Sequence, residues 1–552
     1  MAMKSMLNHY SLFIFLLMSL VVPFLSEPTN IISSCLTQNQ VKNFTLNANS
    51  GNDTSEFHKL LSFSIQNLRY AESTYTKPIV IVLPDTKEQL ANTVLCSKQA
   101  SLAIRVRCGG HSYEGLSSVS TNSGELFMII DVMNLNNVSV DLESETAWVE
   151  GGATLGETYQ AIAESSHLHG FSAGSCPTVG SGGHISGGGF GLLSRKYGLA
   201  ADNVVDAILI DANGRFVDRK AMGEDVFWAI RGGGGGVWGI IYAWKVQLVP
   251  VPETVTSFIL SRSGTQNSVA KLVQKWQFVA PNLEDEFYLS VFVGAGLPET
   301  RYTGISATFK GFYLGSTAEA ISTLNREFPE LGVAEDDCKE MSWIESVVFF
   351  SGLRNGSTVL DLKNRYLDDK GYFKAKSDYV KEPISMRGIK TALRILENEP
   401  KGYVILDPYG GIMSKISSDS IPFPHRAGNI FAIQYLVAWN STENSKNDVF
   451  ISWIRNFYNS MTNYVAKGPR TAYVNYLDLD LGQVNLLSLT RSTTMARSQS
   501  DAVKIAKVWG EKYFLKNYDR LVQAKTLIDP DNVFYNQQGI PPLSTSRLHS
   551  NI

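Results

Sequence analysis

Three glycine-rich segments lie between residues 107 and 239 of this 552-residue chain, and glycine is less frequent after them. The first, Gly109-Gly110-His111, follows an apolar run at 102–106, and the second extends from Cys176 to His184. The third is the five-glycine run 232–236. A glycine turn after a strand lets backbone N–H groups point at anionic oxygens without an intervening Cβ. One such turn is more typical of a tight chain reversal, but three in one half of a chain favour a large, extended cofactor.

The glycine segments do not match the common nucleotide-binding or hydrolase motifs. Gly180-x-Gly182-Gly183 follows no predicted strand and has no acidic residue at the ~20-residue spacing of a Rossmann unit. No Walker-type Gly-Lys-Ser/Thr occurs, and the strand-flanked Gly-x-Ser-x-Gly of a serine hydrolase is also missing. The spacing of the nearby side chains fits no zinc pattern, so no metal is expected: His111, His184, Cys108 and Cys176.

The composition and the N-terminus indicate a secreted globular protein. Hydrophobic residues make up 44% of the chain, which excludes a disordered protein, and a net charge of −3 gives no support for a nucleic-acid partner. The apolar run 11–25 is shorter than the ~20 residues that span a bilayer, so residues 1–26 are predicted to be a signal peptide, with no membrane association after cleavage. The expected destination is the cell wall, apoplast or vacuole. Five sequons are predicted glycosylation sites: Asn43, Asn52, Asn137, Asn355 and Asn440.

The periodicity of the chain predicts an α+β protein. Asp85 and Glu88 have the spacing of a capping box, with Asp85 as the cap of a helix that reaches Gln99. Another helix is predicted to begin at Thr154, and Asn213-Gly214 indicates a hairpin turn. The predicted boundaries are a domain at 27–250, a second domain at 251–470 and a C-terminal segment at 471–545 that returns to the first domain.

Two shorter patterns bear on chemistry. Arg195 and Lys196 follow the second glycine segment and fit either solvated surface charge or pairing with a diphosphate. The alternation in Asn475–Asp480 predicts a strand that places Tyr476 on one face with two aspartates. A tyrosine in such a place is usually a core residue with a tethered hydroxyl. To act as a base it would need its pKa of about 10 lowered by a cation or by hydrogen bonds.

The order of the motifs resembles that of the plant berberine bridge enzyme-like family, in the vanillyl-alcohol-oxidase/p-cresol-methylhydroxylase group of flavoproteins. The resemblance covers nearly the whole mature chain. It is carried by Arg107–Gly115, Cys176–Gly189, Arg195–Ala207, Glu224–Gly239, Pro408-Tyr409-Gly410-Gly411, Phe423-Pro424-His425-Arg426, Asn475–Gly482 and Trp509–Phe514.

This resemblance implies a two-domain flavoprotein: a PCMH-type FAD-binding domain, and a substrate domain with an antiparallel sheet covered by helices. FAD would be bonded twice, through His111 to the 8α carbon and through Cys176 to C6 of the ring. An odd number of cysteines leaves at least one unpaired thiol, and the family pattern pairs Cys35 with Cys96. The further cofactor-binding positions implied are Arg107, Cys108, Gly109, Gly110, Ser112, Gly115, Pro177, Gly180, Gly182, Gly183, His184, Gly187, Gly188, Ile241 and Asn536.

The resemblance also implies roles at the reactive face of the flavin. Tyr476 matches a tyrosine that is the catalytic base in several members, and Tyr113 and Gln434 match positions beside the ring. Val179 occupies the position of an oxygen gate, as in members that make hydrogen peroxide.

Three positions depart from the family pattern. Phe190 stands where a second tyrosine is expected, and Ala432 stands where a lysine or an acidic residue is expected. Cys108 replaces an expected serine. Without a cation at 432, Tyr476 is harder to ionise.

The expected function is that of a secreted, monomeric oxidase that takes hydride from a plant alcohol, carbohydrate or specialised metabolite and passes electrons to O2. One alternative is a cyclase that uses the same flavin pocket for oxidative or non-oxidative ring closure. A second alternative is a secreted glycoprotein without catalysis. Retention of both His111 and Cys176 argues against the second alternative.

Overall fold

The computed structural model describes residues 28–47, 55–297, 304–366, 370–484 and 495–543. The predicted signal peptide and the sequon at Asn52 lie outside these ranges. The helices are α1 (28–38), α2 (Ser55–Ser62), α3 (Lys87–Gln99), α4 (Leu155–Ser165), α5 (Ser181–Ser186), α6 (Ser194–Tyr197), α7 (Arg219–Ile230), α8 (Gln266–Val279), α9 (Thr317–Glu327), α10 (Trp343–Phe350), α11 (Met386–Glu397), α12 (Asn447–Ser460), α13 (Met495–Phe514) and α14 (Tyr518–Ile528).

The strands form three larger sheets and one short two-stranded pair. They are β1 (Phe44–Leu46), β2 (Val80–Val82), β3 (Ala103–Arg107), β4 (Phe127–Asp131), β5 (Val138–Asp141), β6 (Thr146–Glu150), β7 (His169–Gly170), β8 (Val204–Ile210), β9 (Phe216–Val217), β10 (Ile240–Gln247), β11 (Val249–Pro250), β12 (Val255–Gly264), β13 (Phe287–Gly294), β14 (Ile305–Tyr313), β15 (Lys339–Met341), β16 (Tyr372–Val380), β17 (Gly402–Pro408) and β18 (Phe431–Trp439).

The N-terminal half contains a four-stranded sheet and a five-stranded sheet. The four-stranded sheet has the order β1-β2-β4-β3, in which β4 runs parallel to both β2 and β3. The five-stranded sheet, β5-β6-β10-β8-β9, is antiparallel throughout. The first glycine segment follows β3, and the second runs into the start of α5. Both segments therefore lie at the ends of regular elements. The Cys35–Cys96 disulfide is present, with an S–S distance of 2.02 Å.

The second half is built on an antiparallel seven-stranded sheet with the order β15-β12-β14-β13-β17-β18-β16. Side chains alternate between the two faces of a strand. Phe287, Leu289 and Val291 of β13 enter one apolar core with helices such as α8 and α11, whereas Tyr288 and Ser290 face the other way. The prediction of an α+β protein with a helix-covered antiparallel sheet is confirmed.

Local capping signals explain where two helices begin. Thr154 and Glu157 form a complete capping box at α4, so the predicted start is confirmed. At α3 the predicted cap was wrong: the Thr86 side chain, not Asp85, accepts the N–H of Gln89. In the reciprocal hydrogen bond, the backbone N–H of Asp85, the residue before Thr86, donates to the Gln89 side chain. The predicted hairpin turn at Asn213-Gly214 is confirmed by the pairing of β8 with β9.

The segment around Tyr476 is not the predicted strand. Val474–Tyr476 and Leu479–Leu481 are two short 3-10 helices. Asp478 caps the second of them and is buried in ion pairs with Lys374 and Lys376 of β16. The alternating pattern failed because these side chains are placed by tertiary ion pairs rather than by the two sides of a sheet.

The C-terminal segment makes hydrogen bonds with the N-terminal half. Lys525 of α14 is buried and donates to the carbonyls of Val237 and Phe534. Arg105 of β3 donates to the carbonyl of Tyr535 at 2.7 Å. None of the helices in the described ranges has both the length and the apolar character needed to cross a bilayer.

Candidate active site

A cavity of about 620 Å³ lies between the glycine-rich segments and the seven-stranded sheet. This volume is within the usual range for small-molecule and cofactor sites. The predicted site residues that line it are Cys108, Gly109, Gly110, His111, Ser112, Tyr113, Cys176, Val179, Gly180, Gly182, Gly183, His184, Ile241, Gln434, Tyr476 and Asn536.

Five predicted cofactor-binding residues do not line this cavity: Arg107, Gly115, Pro177, Gly187 and Gly188. Arg107 is buried and paired with Asp131 at 2.6 Å, and its guanidinium also donates to the carbonyls of Leu60 and Leu61. The others lie in the loops beside the cavity, where they position the backbone.

The first two glycine segments touch each other, and only glycine permits this. A Cβ on Gly109 would lie 2.4 Å from the carbonyl oxygen of Thr178, and one on Gly180 would lie 2.3 Å from the Cys108 sulfur. Real Cβ atoms do not approach that closely, so larger residues would push the segments apart. Their contact brings His111 and Cys176 to the same end of the cavity.

His111 and Cys176 share one neighbour, the hydroxyl of Thr178. The His111 Nε2 lies 2.8 Å from that oxygen and the Cys176 Sγ lies 3.7 Å from it. Burial lowers the pKa of His111 to about 4, so its imidazole is neutral near pH 7. Burial raises the pKa of Cys176. Two nucleophilic side chains therefore lie beside the same hydroxyl group at the cavity wall.

Glycines of the second and third segments also line the cavity. A Cβ on Gly183 or on Gly236 would meet no heavy atom within 4 Å, although both residues line the cavity. The backbone at these points thus borders empty space into which a ligand can fit closely. Sequence reasoning did not assign residues 233–236 to the site, although they belong to the five-glycine run 232–236.

Two tyrosines form an aromatic part of the cavity wall. The rings of Tyr113 and Tyr476 are stacked, with centroids 5.5 Å apart and an interplanar angle of 8°. Gln434 donates a hydrogen bond to the Tyr113 hydroxyl at 2.6 Å. The three residues predicted to act at the reactive face are therefore brought together. Burial, and then the nearby charge of Asp407, raise the pKa of Tyr476 well above its ordinary value.

The three departures from the family pattern have structural explanations. Phe190 stacks on Tyr409 at 5.1 Å and presents no hydroxyl to the cavity. Ala432 is buried in β18, opposite Asp407 of β17. Cys108 is a free thiol whose pKa is raised by burial to about 12, and it donates to the carbonyl of Gly152.

Arg195 matches neither interpretation, whereas Lys196 is a partly exposed charge, as one of them predicts. Arg195 is fully buried and donates to backbone carbonyls, among them those of Leu283 and Tyr409. Lys196 pairs with Glu286 at 2.9 Å and does not line the cavity. Both side chains therefore serve the packing of the polypeptide rather than a diphosphate.

Sequence reasoning did not identify several polar residues of the cavity. Lys310, Asp407, Ser290 and Tyr288 come from strands of the seven-stranded sheet, and Asn475 and Gln538 come from the C-terminal segment. Asp407 adjoins the Pro408-Tyr409-Gly410-Gly411 motif and Asn475 begins the Asn475–Gly482 motif, but only the pairing of distant strands brings the sheet residues to one face.

Comparison with known proteins agrees with this geometry. Residues 78–219 match the FAD binding domain profile, and residues 472–541 match the berberine and berberine like profile. Berberine bridge enzyme-like D-1 of Nicotiana tabacum is 61% identical, over 96% of this chain and 95% of its own length. Reticuline oxidase of Eschscholzia californica is 52% identical, over 93% of this chain and 92% of its own length.

The structure of berberine bridge enzyme from Eschscholzia californica matches this one with a TM-score of 0.88, at 52% identity, over 93% of this chain and 99% of that chain. The similarity thus extends through both halves and includes the segments that form the cavity. The resemblance inferred from the motifs is confirmed, and the chain belongs to the berberine bridge enzyme-like family of FAD-linked oxidoreductases.

Proposed function

We propose that this protein is a secreted oxidase with FAD bonded through His111 and Cys176, acting on a plant alcohol, carbohydrate or specialised metabolite and producing hydrogen peroxide from O2. The observation that carries the proposal is the placement of both nucleophiles around the Thr178 hydroxyl, at one end of a cradle lined by glycine. The apolar N-terminal run and the sequons at Asn43, Asn137, Asn355 and Asn440 support secretion.

The residues of this chain fit the flavin in distinct ways. With Nε2 of His111 at the Thr178 hydroxyl, Nδ1 is the ring nitrogen that remains for the bond to the cofactor. The glycine backbone beside Gly183 and Gly236 leaves room for the body of FAD. When bound, the flavin supplies the two-electron chemistry, accepting hydride from substrate and yielding electrons to O2.

The tyrosine pair and Gln434 form the substrate end of the cavity. Because Gln434 donates to Tyr113, and Tyr113 stacks on Tyr476, the two phenol rings are held in a fixed arrangement. Their hydroxyls can orient a polar group of a substrate lying between the sheet and the flavin. Val179, half-buried at the cavity wall, is the proposed gate for O2.

The test is anaerobic mixing of the purified holoenzyme with D-glucose, coniferyl alcohol or (S)-reticuline. We expect at least one of them to bleach the ~450 nm flavin band, and O2 then to restore the band with release of peroxide. If none bleaches it, the oxidase proposal is wrong. If a product forms without peroxide under air, the non-oxidative form of the cyclase alternative holds instead, because oxidative ring closure would also pass electrons to O2 and release peroxide.

The glycine cradle gives a separate prediction about cofactor loading. Gly183→Ala should reduce the flavin content several-fold, because the new methyl group enters the space proposed for FAD. The fold should not suffer, since Gly183 lies in α5, where alanine is favoured over glycine by about 1 kcal/mol. Flavin absorbance per protein, measured beside the far-ultraviolet circular dichroism, checks both.

The matched control is Gly371→Ala, whose Cβ would make only an ordinary contact of 3.5 Å and lies outside the cavity. It should keep the wild-type flavin content. Equal loading of the two variants would contradict the placement of FAD beside Gly183.

A further inference from the structure

One wall of the cavity is the face of the seven-stranded sheet that is turned away from the helices of its apolar core. Strand register determines which polar side chains are neighbours on this wall. Ser290 of β13 is paired with Lys310 of β14, and Asp407 of β17 is paired with Ala432 of β18. Because side chains alternate, Asp407 reaches the cavity while Leu406 enters the core behind the sheet.

Asp407 is the single carboxylate among the described residues that line the cavity. It is 8% exposed, and its Oδ1 accepts a hydrogen bond from the Tyr288 hydroxyl at 2.5 Å. This bond occupies one oxygen of the carboxyl group. Because Asp407 lines the cavity, its other oxygen, Oδ2, can accept a hydrogen bond from a donor in the cavity.

The charges around Asp407 favour a group that can both hold and release a proton near neutral pH. Burial raises its pKa to about 6, against the opposing effects of the Tyr288 hydrogen bond and the Lys310 charge. The other titratable groups that interact electrostatically with it are tyrosines: Tyr409, Tyr473 and Tyr476.

These tyrosines are poor competitors for the role of base. Burial raises the pKa of Tyr476, of Tyr473 and of Tyr113, and the charge of Asp407 raises the first two further. An ionised tyrosine beside an ionised aspartate in a buried cavity would place two like charges together. Near pH 7 the carboxylate is therefore the group that can take up a proton.

We propose that Asp407 is the catalytic base of this site, accepting the hydroxyl proton of an alcohol substrate on Oδ2, and that Tyr288 is its positioning residue. This inference rests on the proposed oxidase function and specifies the chemical class of its substrate as an alcohol with a hydrogen on the carbinol carbon. Tyr113 and Tyr476 then orient the alcohol and do not lose their protons.

The proposed reaction breaks two bonds of the alcohol. The O–H bond breaks and its proton passes to Oδ2 of Asp407. The C–H bond on the same carbon would break and its hydrogen would leave with the bonding pair to FAD, the oxidant that the proposed function supplies. A carbonyl product forms, and the carboxyl group of Asp407 later returns its proton to water.

The kinetic test uses Asp407→Asn, which keeps the size of the side chain and removes its basicity. At pH 7, the rate of anaerobic bleaching by coniferyl alcohol or D-glucose should fall roughly 10²–10⁴-fold. The wild-type rate should rise with pH through an acidic limb near 6, and this limb should be missing in the variant. Asp519→Asn, an exposed carboxylate far from the cavity wall, is the matched control and should behave as wild type.

Tyr288→Phe separates positioning from mere packing. Since the Tyr288 hydrogen bond lowers the pKa of Asp407, its removal should move the acidic limb to higher pH. An unmoved limb would contradict the positioning role.

Loss of the limb in Tyr476→Phe but not in Asp407→Asn would assign the base to Tyr476. Weaker substrate binding with an unchanged bleaching rate at saturation would make Asp407 a binding group only. Either of these results overturns the proposal.

A readout without substrate separates this inference from the proposed function. In pH-difference infrared spectra of the holoenzyme, a carboxyl band titrating near pH 6 should be present in wild type and Asp519→Asn and reduced in Asp407→Asn. Spectra unaffected by Asp407→Asn would overturn the inference whichever compounds are oxidised. Failure of every test compound to bleach the wild-type flavin, with the Asp407 band present, would contradict the oxidase function instead.

Discussion

Replacing both His111 and Cys176 with alanine should release the flavin from the protein on acid precipitation, whereas each single replacement should leave it attached. Either covalent bond alone survives denaturation, while a cofactor held only by the folded cradle is lost with the fold. The two side chains lie on different loops and meet only at the Thr178 hydroxyl, so losing one does not remove the other. We therefore expect nearly all flavin in the pellet for the wild type and nearly all in the supernatant for the double variant.

The measurement is the flavin absorbance of pellet and supernatant after trichloroacetic acid treatment, with fluorescence of the denatured band on a gel as a second readout. The matched control replaces His169 and Cys338, which are the same residue types outside the cavity. This control should keep a yellow pellet. A yellow pellet from the double variant, or a colourless one from the wild type, would contradict the proposed attachment.

The pH dependence of attachment should differ between the two bonds. Burial lowers the pKa of His111 to about 4, so its imidazole is already the neutral nucleophile at pH 6 to 8. Burial raises the pKa of Cys176, so its reactive thiolate becomes more abundant only as the pH rises. In single variants loaded with FAD after purification, bonding through Cys176 should therefore be the more accelerated by alkaline pH.

Much of the fold could be predicted because its signals are local. The Thr154–Glu157 capping box and the Asn213-Gly214 turn each specify a conformation within four residues, and tertiary packing did not override them. The cap of α3 was assigned one residue early because Asp85 and Thr86 are both good caps and the spacing alone does not choose between them. The glycine contacts also followed from sequence, since they depend on the missing side chain itself.

The substrate end could not be predicted because it depends on register between distant strands. Asp407 and Ala432 are 25 positions apart, yet they are direct neighbours in the β17–β18 pairing. Sequence reasoning found no charged group at 432 and named Tyr476 as the candidate base, whereas the base that we propose, Asp407, lies one strand away on the same face. A one-residue slip of β17 would turn Asp407 into the core, so its role depends on the assembled sheet.

Arg195→Met should destabilise the protein by roughly 3–5 kcal/mol, because it leaves several buried carbonyl oxygens without their hydrogen-bond donor. The Arg195 guanidinium, whose pKa burial lowers only to about 10, stays protonated at neutral pH. It donates to backbone carbonyls in the loop before β13, at the start of β13 and directly after β17: Pro281, Leu283, Glu284, Phe287 and Tyr409. Removing the donor leaves these oxygens buried without partners, each at a cost of about 1–3 kcal/mol before relaxation.

The position of Arg195 makes the effect larger than a local loss. Arg195 lies in α6, which follows the second glycine segment along the chain. The carbonyl groups that accept its hydrogen bonds belong to the seven-stranded half, so this one side chain joins the cofactor cradle to the sheet wall. Lysine is no substitute, because one ammonium cannot reach the acceptors that the planar guanidinium spans.

Lys196→Met is the matched control: Lys196 makes a partly exposed ion pair with Glu286, which contributes about 0–1 kcal/mol. Urea unfolding followed by tryptophan fluorescence should show a much lower midpoint for Arg195→Met than for Lys196→Met, with earlier protease cleavage between the halves. Equal midpoints would mean that the two halves are held together by apolar packing alone.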